Sequence, residues 1–281
     1  MTGGRILYYA IGGGLGHLVR ARRVVRTLGL EDRVALLTAS RFARDERVTG
    51  GLPVVRVAPG LEREPWRIRD LIACQQPSEL VVDAFPLGIL GELDGIADVP
   101  IRHVARRLRW ERYRERIGSG RIHFATTHLL EPLEPEHERF LRERSDVVEE
   151  LVPEREQHRQ RRAAPGPHWL VVHSGPDEET LELVATAREH QRTEGVEVPL
   201  VLVAPRRPPG LPAGVVWRDV HPAASLFAAA DRLVTAAGWN VVDEASPFRE
   251  RHHVVPFRRS LDDQAARATR VRRERAGLQP S

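Results

Sequence analysis

The 281-residue sequence contains a single cysteine, Cys74, which excludes an intrachain disulfide and a zinc site built on clustered cysteines. It contains no lysine, because all 43 basic residues are arginine. That excludes Schiff-base chemistry, an internal pyridoxal phosphate aldimine and a Walker-type phosphate loop, each of which needs a lysine amine. Aromatic residues amount to 5%, too few for the stacking platforms of nucleic-acid binders, so no nucleic-acid partner is expected. No apolar run approaches the roughly 18 residues of a membrane span. The opening residues, Met1-Thr2-Gly3-Gly4-Arg5, lack the apolar region and cleavage site of a signal peptide, which points to a cytoplasmic protein.

With 41% hydrophobic and 29% charged residues, the chain has a globular composition, and its length suits two domains. The net charge is a modest +4; the high isoelectric point reflects arginine, which stays protonated to very high pH. The densest basic stretch, Arg102 to Arg116, interleaves Glu111 and Glu115 and reads as a solvated, salt-bridged helix. The other reading is a surface for an anionic acceptor or for peripheral membrane contact.

Short β-like runs alternate with helix-compatible stretches. In the first half the strand candidates are Arg5–Ala10, Val34–Thr38, Val54–Val57, Leu80–Asp83, Ile101–Ala105 and Ile122–Ala125. Several are continuously apolar, as strands buried on both faces are. His17–Leu28 and Ser40–Val48 are long enough for crossover helices, so the organisation is βαβ and the sheet parallel. Residues 149–167 turn to Glu, Arg, Gln and Pro without periodicity and read as a linker between domains 1–148 and 168–281. A second series follows: Trp169–His173, Leu200–Val203, Val215–Trp217, Leu233–Thr235 and His253–Val255. Its first helix is expected to begin at Pro176, with three acids at its positive end and Leu181, Val184 and Ala185 on one face.

Glycines cluster after the first strand, in Ile11-Gly12-Gly13-Gly14-Leu15-Gly16-His17. They allow close backbone approach to a ligand, and the helix that follows favours anions. A nicotinamide-dinucleotide fingerprint fails, because the third glycine position is His17 and the second strand ends in Thr38-Ala39-Ser40, without an acid for the ribose. His17 can be a general base near neutral pH, or a helix-capping ring. Asp83 closes the fourth strand, where ligands of parallel sheets gather; it can take a hydroxyl proton or cap the next helix. In the second half, His173-Ser174-Gly175-Pro176 forms the equivalent turn, whose Ser174 hydroxyl and backbone N–H groups could bind a diphosphate. Further on, Ala236-Ala237-Gly238-Trp239-Asn240 opens a helix carrying Glu244, and the loop after Pro256 delivers Asp262, Asp263 and Gln264. Together these offer a helix N-terminus, a carboxylate for paired hydroxyls and an amide.

The order of the GGGLGH turn, the AAGWN..DEA segment and the P-F…DDQ-ARA segment resembles the GT-B glycosyltransferases of the MurG-like, family 28-type group. The resemblance spans nearly the whole chain, with its specificity concentrated in residues 230–268. It implies an α/β fold of two Rossmann-like parallel-sheet domains facing a central cleft. The C-terminal domain would bind a nucleotide-diphosphate sugar, a UDP-sugar by expectation, and the N-terminal domain the acceptor. Glu244 would hold ribose hydroxyls, Gly238, Trp239 and Asn240 would lie by the diphosphate, and Asp263 and Gln264 would contact the sugar. Gly14, Gly16, Ser174, Gly175 and Val220 complete the expected donor set, and His17 or Asp83 would deprotonate the acceptor. Trp239 is bulkier than the small residue usual after that glycine, and Ser246-Pro247-Phe248 replaces the usual small-residue helix ending.

The reading is a metal-independent glycosyltransferase without a cofactor, inverting by resemblance. Its acceptor would be a small molecule or a lipid-linked glycan. A nucleotide-sugar epimerase or hydrolase of the same fold, or a non-catalytic nucleotide-sugar-binding subunit, is the alternative. The twelve histidines form no metal-binding spacing.

Overall fold

The computed structural model of the chain describes residues 4–58, 60, 64–117, 120–156 and 158–277. Position 157 of the expected linker, and the two chain ends, lie outside the described residues. Two compact units form. One takes the chain up to Arg155 together with Ser260–Asp263; the other takes Glu156–Arg259 and the chain from Gln264 onward.

In the first unit the order is β1 (Ile6–Tyr9), α1 (Leu15–Thr27), β2 (Val34–Thr38), α2 (Glu46–Thr49), β3 (Val54–Arg56), α3 (Pro65–Gln75), β4 (Glu79–Asp83), β5 (Ile101–Ala105), α4 (Trp110–Ile117), β6 (Phe124–Leu129), α5 (Pro135–Arg142) and β7 (Ser145–Glu150). The seven strands form one parallel sheet in the order β3-β2-β1-β4-β5-β6-β7. Its interior strand β1 shows why the sequence is apolar without a break. Ile6 and Tyr8 pack with Leu18, Ala21, Val24 and Val25 of α1, while Leu7 and Tyr9 share the opposite cluster with Ile68, Ile72, Trp110 and Tyr113. Side chains alternate across a strand, so a strand covered on both faces needs an apolar residue at every position. Each such side chain is worth roughly 1.5–3 kcal/mol of burial.

The second unit contains β8 (Trp169–Val172), α6 (Asp177–Glu194), β9 (Leu200–Val203), β10 (Val215–Arg218), β11 (Arg232–Ala236), α7 (Trp239–Glu244), β12 (His252–Val255) and α8 (Gln264–Arg275). Its five parallel strands run β10-β9-β8-β11-β12. Trp169 and Val171 pack on Leu183, Val184 and Ala187 of α6, and Leu170 faces Leu226 and Phe227. Each sheet therefore reverses its strand order at one point, between β1 and β4 in the first unit and between β8 and β11 in the second. Among the described residues no helix is long and apolar enough to cross a membrane.

Several expected elements differ. The helix expected over 40–48 is only α2, one turn: Ser40 and Asp45 spend their side chains on the nearby N–H groups of Phe42 and Arg47, and Gly50 in the left-handed region ends it. The strand expected at Ile122–Ala125 starts at Phe124 and continues through the β-branched Thr126 and Thr127 to Leu129. β7, Ser-Asp-Val-Val-Glu-Glu, lies at the sheet edge with most residues exposed, so it has linker composition, and residues 149 and 150 are strand. In α6, Pro176 is the N-cap, and the buried face is Thr180, Leu183, Val184 and Ala187 rather than one containing Leu181 and Ala185. The basic stretch begins as β5, whose Arg102 pairs with Glu79 at 2.9 Å; only α4 is helical, and it buries Trp110 and Tyr113.

Ser260–Asp263 rejoins the first unit through specific bonds. Leu261 is buried in its core and its carbonyl accepts the Arg109 N–H at 2.7 Å. Asp262 forms an antiparallel bridge with Leu108. Arg106 pairs with Asp262, and Arg107 Nε with Asp263 Oδ2 at 3.1 Å.

Candidate active site

The chain leaves β1 through the glycine turn and enters α1 with Gly14 as N-cap. Ser40, itself buried, donates its hydroxyl to the Gly14 carbonyl at 3.1 Å and holds the turn. Gly12 has a different task. A Cβ there would stand 2.5 Å from His17 Cδ2, so only glycine lets the imidazole fold down over the turn. Gly16 and His17 are the second and third residues of α1.

His17 Nδ1 lies 2.6 Å from Asp83 Oδ2. The two residues are 66 positions apart, but β1 and β4 are neighbours in the sheet, which sets the end of β4 beside the turn after β1. Asp83 is 1% exposed and is gripped by Arg20, whose Nε reaches Oδ1 at 2.7 Å and Nη2 reaches Oδ2 at 2.5 Å. Tyr8 donates more weakly to Oδ1 at 3.5 Å. Burial alone would favour a neutral carboxyl, yet Arg20 and His17 overcome it and hold Asp83 well below the usual carboxylate range. An ionised carboxylate only accepts, so Nδ1 must be the donor, and the neutral ring presents an unprotonated Nε2. Burial, partly offset by Asp83, pushes His17 below the ordinary histidine value. Such an arrangement can act as a base oriented by a carboxylate. That is the geometry of proton abstraction from a hydroxyl.

The segment after Asp83 is sharply turned. Ala84 adopts φ +65°, and the Phe85 N–H returns to the Asp83 carbonyl at 2.7 Å. A left-handed conformation costs a non-glycine residue about 1–2 kcal/mol. The turn brings the Phe85 ring within 6.0 Å of the His17 ring. Beyond it, buried Glu92 accepts N–H groups of Ile89 at 3.1 Å and Leu90 at 2.7 Å and the hydroxyl of Tyr9, while Tyr113 donates to the Gly88 carbonyl at 2.7 Å. A carboxylate satisfied by backbone and phenol donors makes this loop part of the fixed scaffold.

In the second unit, the turns after β8 and β11 end on neighbouring strands, since Val172 pairs with Thr235. Ser174 and Gly175 lie before α6, and Gly238 is the N-cap of α7, which carries Asn240 and ends at Glu244. Trp239 is 5% exposed, a packed side chain. His173 folds against Gly175, and its Nε2 lies 3.1 Å from Glu179 Oε2. Glu179 also pairs with both terminal nitrogens of Arg259, and Asp177 pairs with Arg206 at 2.7 Å, so two of the three acids opening α6 are matched by arginine. Val220 packs on the Leu226–Phe227 cluster. Gln264 is 5% exposed and uses Oε1 to accept the Phe257 N–H at 3.0 Å. Asp263 belongs to the other unit, on Arg107. Among the described residues no group of three or more His, Cys, Asp or Glu could hold a metal.

No protein-family model matches the chain, and no curated protein matches it in sequence. Solved structures do match. A Streptomyces sp. SF2575 glycosyltransferase, SsfS6, solved with thymidine diphosphate, superposes with a TM-score of 0.57 at 16% identity over 98% of this chain and 86% of that one. MurG of Acinetobacter baumannii gives 0.54 at 13% identity over 98% and 84%. UDP-N-acetylglucosamine 2-epimerase of Rickettsia bellii gives 0.55 at 11% over 99% and 89%. The chain has the GT-B fold. Both reversals of strand order in this GT-B chain are places where open α/β sheets bind ligands, beyond the carboxyl ends of the strands. His17 and Asp83 stand at one; Ser174, Gly175 and Gly238 stand at the other.

The sequence put His17 after the first strand and Asp83 at the end of the fourth, but it did not show their pairing or the parts of Arg20, Ser40 and Ala84 around them. Arg20 had a signal, since it follows His17 by three residues and so shares its helix face. Ala84 had none.

Proposed function

We propose that the protein is a glycosyltransferase that moves a sugar from a nucleotide-diphosphate sugar to an acceptor hydroxyl. The observation that carries the proposal is the His17–Asp83 pair at the strand-order reversal of the first GT-B unit. Nε2 of His17 takes the acceptor proton, and the oxygen attacks the anomeric carbon. The bond from that carbon to the diphosphate breaks, its electron pair leaving with the nucleotide, and the configuration inverts. Asp83 fixes the tautomer and stabilises the imidazolium that forms. In the second unit Ser174, Gly175, Gly238, Asn240 and the backbone N–H of Trp239 face the diphosphate, Glu244 takes the ribose hydroxyls, and Gln264 offers its amide Nε2 to the sugar. The diphosphate charge is balanced by backbone N–H groups and arginine, without a tightly held cation. UDP is the first choice of nucleotide and TDP the second, since a structural neighbour was solved with thymidine diphosphate.

A thermal-shift panel of UDP, TDP, GDP and their sugars tests the donor, because a ligand at 100 times its Kd stabilises by about 2.7 kcal/mol. With the donor known, His17→Ala should lower kcat by about 10²–10⁴-fold with little change in donor affinity. An unchanged kcat removes His17 from the reaction. A second reading, epimerisation or hydrolysis of the nucleotide sugar, is favoured by the likeness to the epimerase. Consumption of the donor without any acceptor would select it.

A further inference from the structure

Arg20 is 3% exposed, and its guanidinium closes on both oxygens of Asp83, through Nε at 2.7 Å and Nη2 at 2.5 Å. The same Nη2 lies 3.2 Å from His17 Nδ1. Because Nδ1 carries the proton donated to Asp83, this last approach sets two donors side by side and is not a hydrogen bond. Charges at the end of β4, on α1 and after β5 act on the imidazole. Asp83 ends β4, Tyr8 stands on β1, Arg20 is one turn along α1, and Arg106 follows β5 with Asp262 paired to it. Asp83 touches the ring at Nδ1, and its charge is already matched by Arg20.

We propose that Arg20 is a positioning residue of this site, clamping Asp83 beneath Nδ1 and opposing protonation of the imidazole with a fixed positive charge. The proposal rests on the reading of His17 as the base, and it deepens that reading. An uncompensated buried carboxylate pulls an imidazole toward the cation, the form that cannot take a proton from an acceptor. Burial, together with the sharing of the carboxylate, holds His17 below the ordinary histidine value, while the two-pronged grip fixes the direction of the Oδ2 lone pair and hence of the ring. A lysine would supply the charge without the fork. This chain contains no lysine anywhere.

The test is an NMR titration of the imidazole resonances, with His17 assigned by loss of its signal in His17→Gln, on wild type, Arg20→Met and Arg20→Lys. No substrate is needed. In Arg20→Met the His17 midpoint should rise by about one pH unit or more, whereas in Arg20→Lys it should stay within about 0.3 unit of wild type. Kinetics of Arg20→Lys should show kcat down about 10- to 100-fold at unchanged acceptor KM, with the acid limb of the pH profile unmoved. A His17 midpoint in Arg20→Met equal to that of wild type overturns the proposal. If Arg20→Met does not fold, a wild-type kcat in Arg20→Lys overturns it instead. A protein without transferase activity but with the shifted midpoint would discard the glycosyltransferase reading and leave the electrostatic role of Arg20 standing.

Discussion

Replacing Asp83 with asparagine separates what the carboxylate does for the fold from what it does for the reaction. In the native chain Asp83 is 1% and Arg20 3% exposed, so Asp83→Asn leaves a guanidinium buried beside an amide. Removing one partner of a buried pair costs about 3–5 kcal/mol, because the remaining charge has lost both water and its counter-ion. At about 2–4 °C per kcal/mol for a chain of this size, melting should fall by about 6–20 °C. Removing both charges is a different perturbation. Arg20→Met/Asp83→Asn takes away the ion pair as a unit, and neutral replacements of buried pairs are commonly harmless, so the double variant should recover to within about 1–2 kcal/mol of wild type. The rate should not recover. Without a carboxylate beneath Nδ1 nothing selects the tautomer with a bare Nε2, and kcat should remain about 10²–10⁴-fold down in both variants, measured below their melting temperatures. The measurements are urea unfolding for the coupling energy and steady-state transfer for the rate. Destabilisation that simply adds in the double variant would refute the buried-pair argument, and a restored kcat would refute the orienting role.

The remaining predictions concern the donor and the pH response. Glu244→Ala should weaken nucleotide binding by about 2–3 kcal/mol, or roughly 30- to 150-fold by calorimetric titration, since each charge-assisted ribose bond is worth about 1.5–3 kcal/mol before solvent competition; equal affinities would leave the carboxylate as a helix residue only. Transfer should persist in EDTA, and complete loss restored by Mg²⁺ or Mn²⁺ would contradict the metal-independent reading. Burial lowers His103 and His252 to about 4. Below pH 6.5 the unfolded chain therefore takes up protons that the folded chain refuses, and urea stability should fall between pH 6.5 and 4 by up to about 3 kcal/mol per histidine, then level off. A flat profile over that window would mean that neither imidazole is neutral and buried.

Much of the architecture was legible in the sequence because strands covered on both faces must be apolar throughout. Leu36 and Leu37, Val81 and Val82, and Leu200 to Val203 could be nothing else. The glycine turn, His17, Asp83 and the opening of α7 were readable for a related reason: strand ends and helix starts have local chemical requirements. Where burial is one-sided or absent the signal fails. β7 is an edge strand with a linker's composition, and the expected helix over 40–48 dissolves because Ser40 and Asp45 bond the chain locally. The pairings were beyond reach altogether. His17 meets Asp83 only because β1 and β4 are neighbours in a sheet whose order is not that of the chain, and Asp262 meets Arg106 across 156 positions. Nor does alanine announce a left-handed backbone; the turn at Ala84 persists because the packing of Phe85 and the loop behind it over-determines it. The sequence by itself determined which segments are buried strands and which residue types stand at their ends. Only the tertiary structure decided that a histidine and an arginine of one helix and an aspartate at a strand end form one cluster, because contacts distant in sequence depend on strand order, which local residue preferences do not encode.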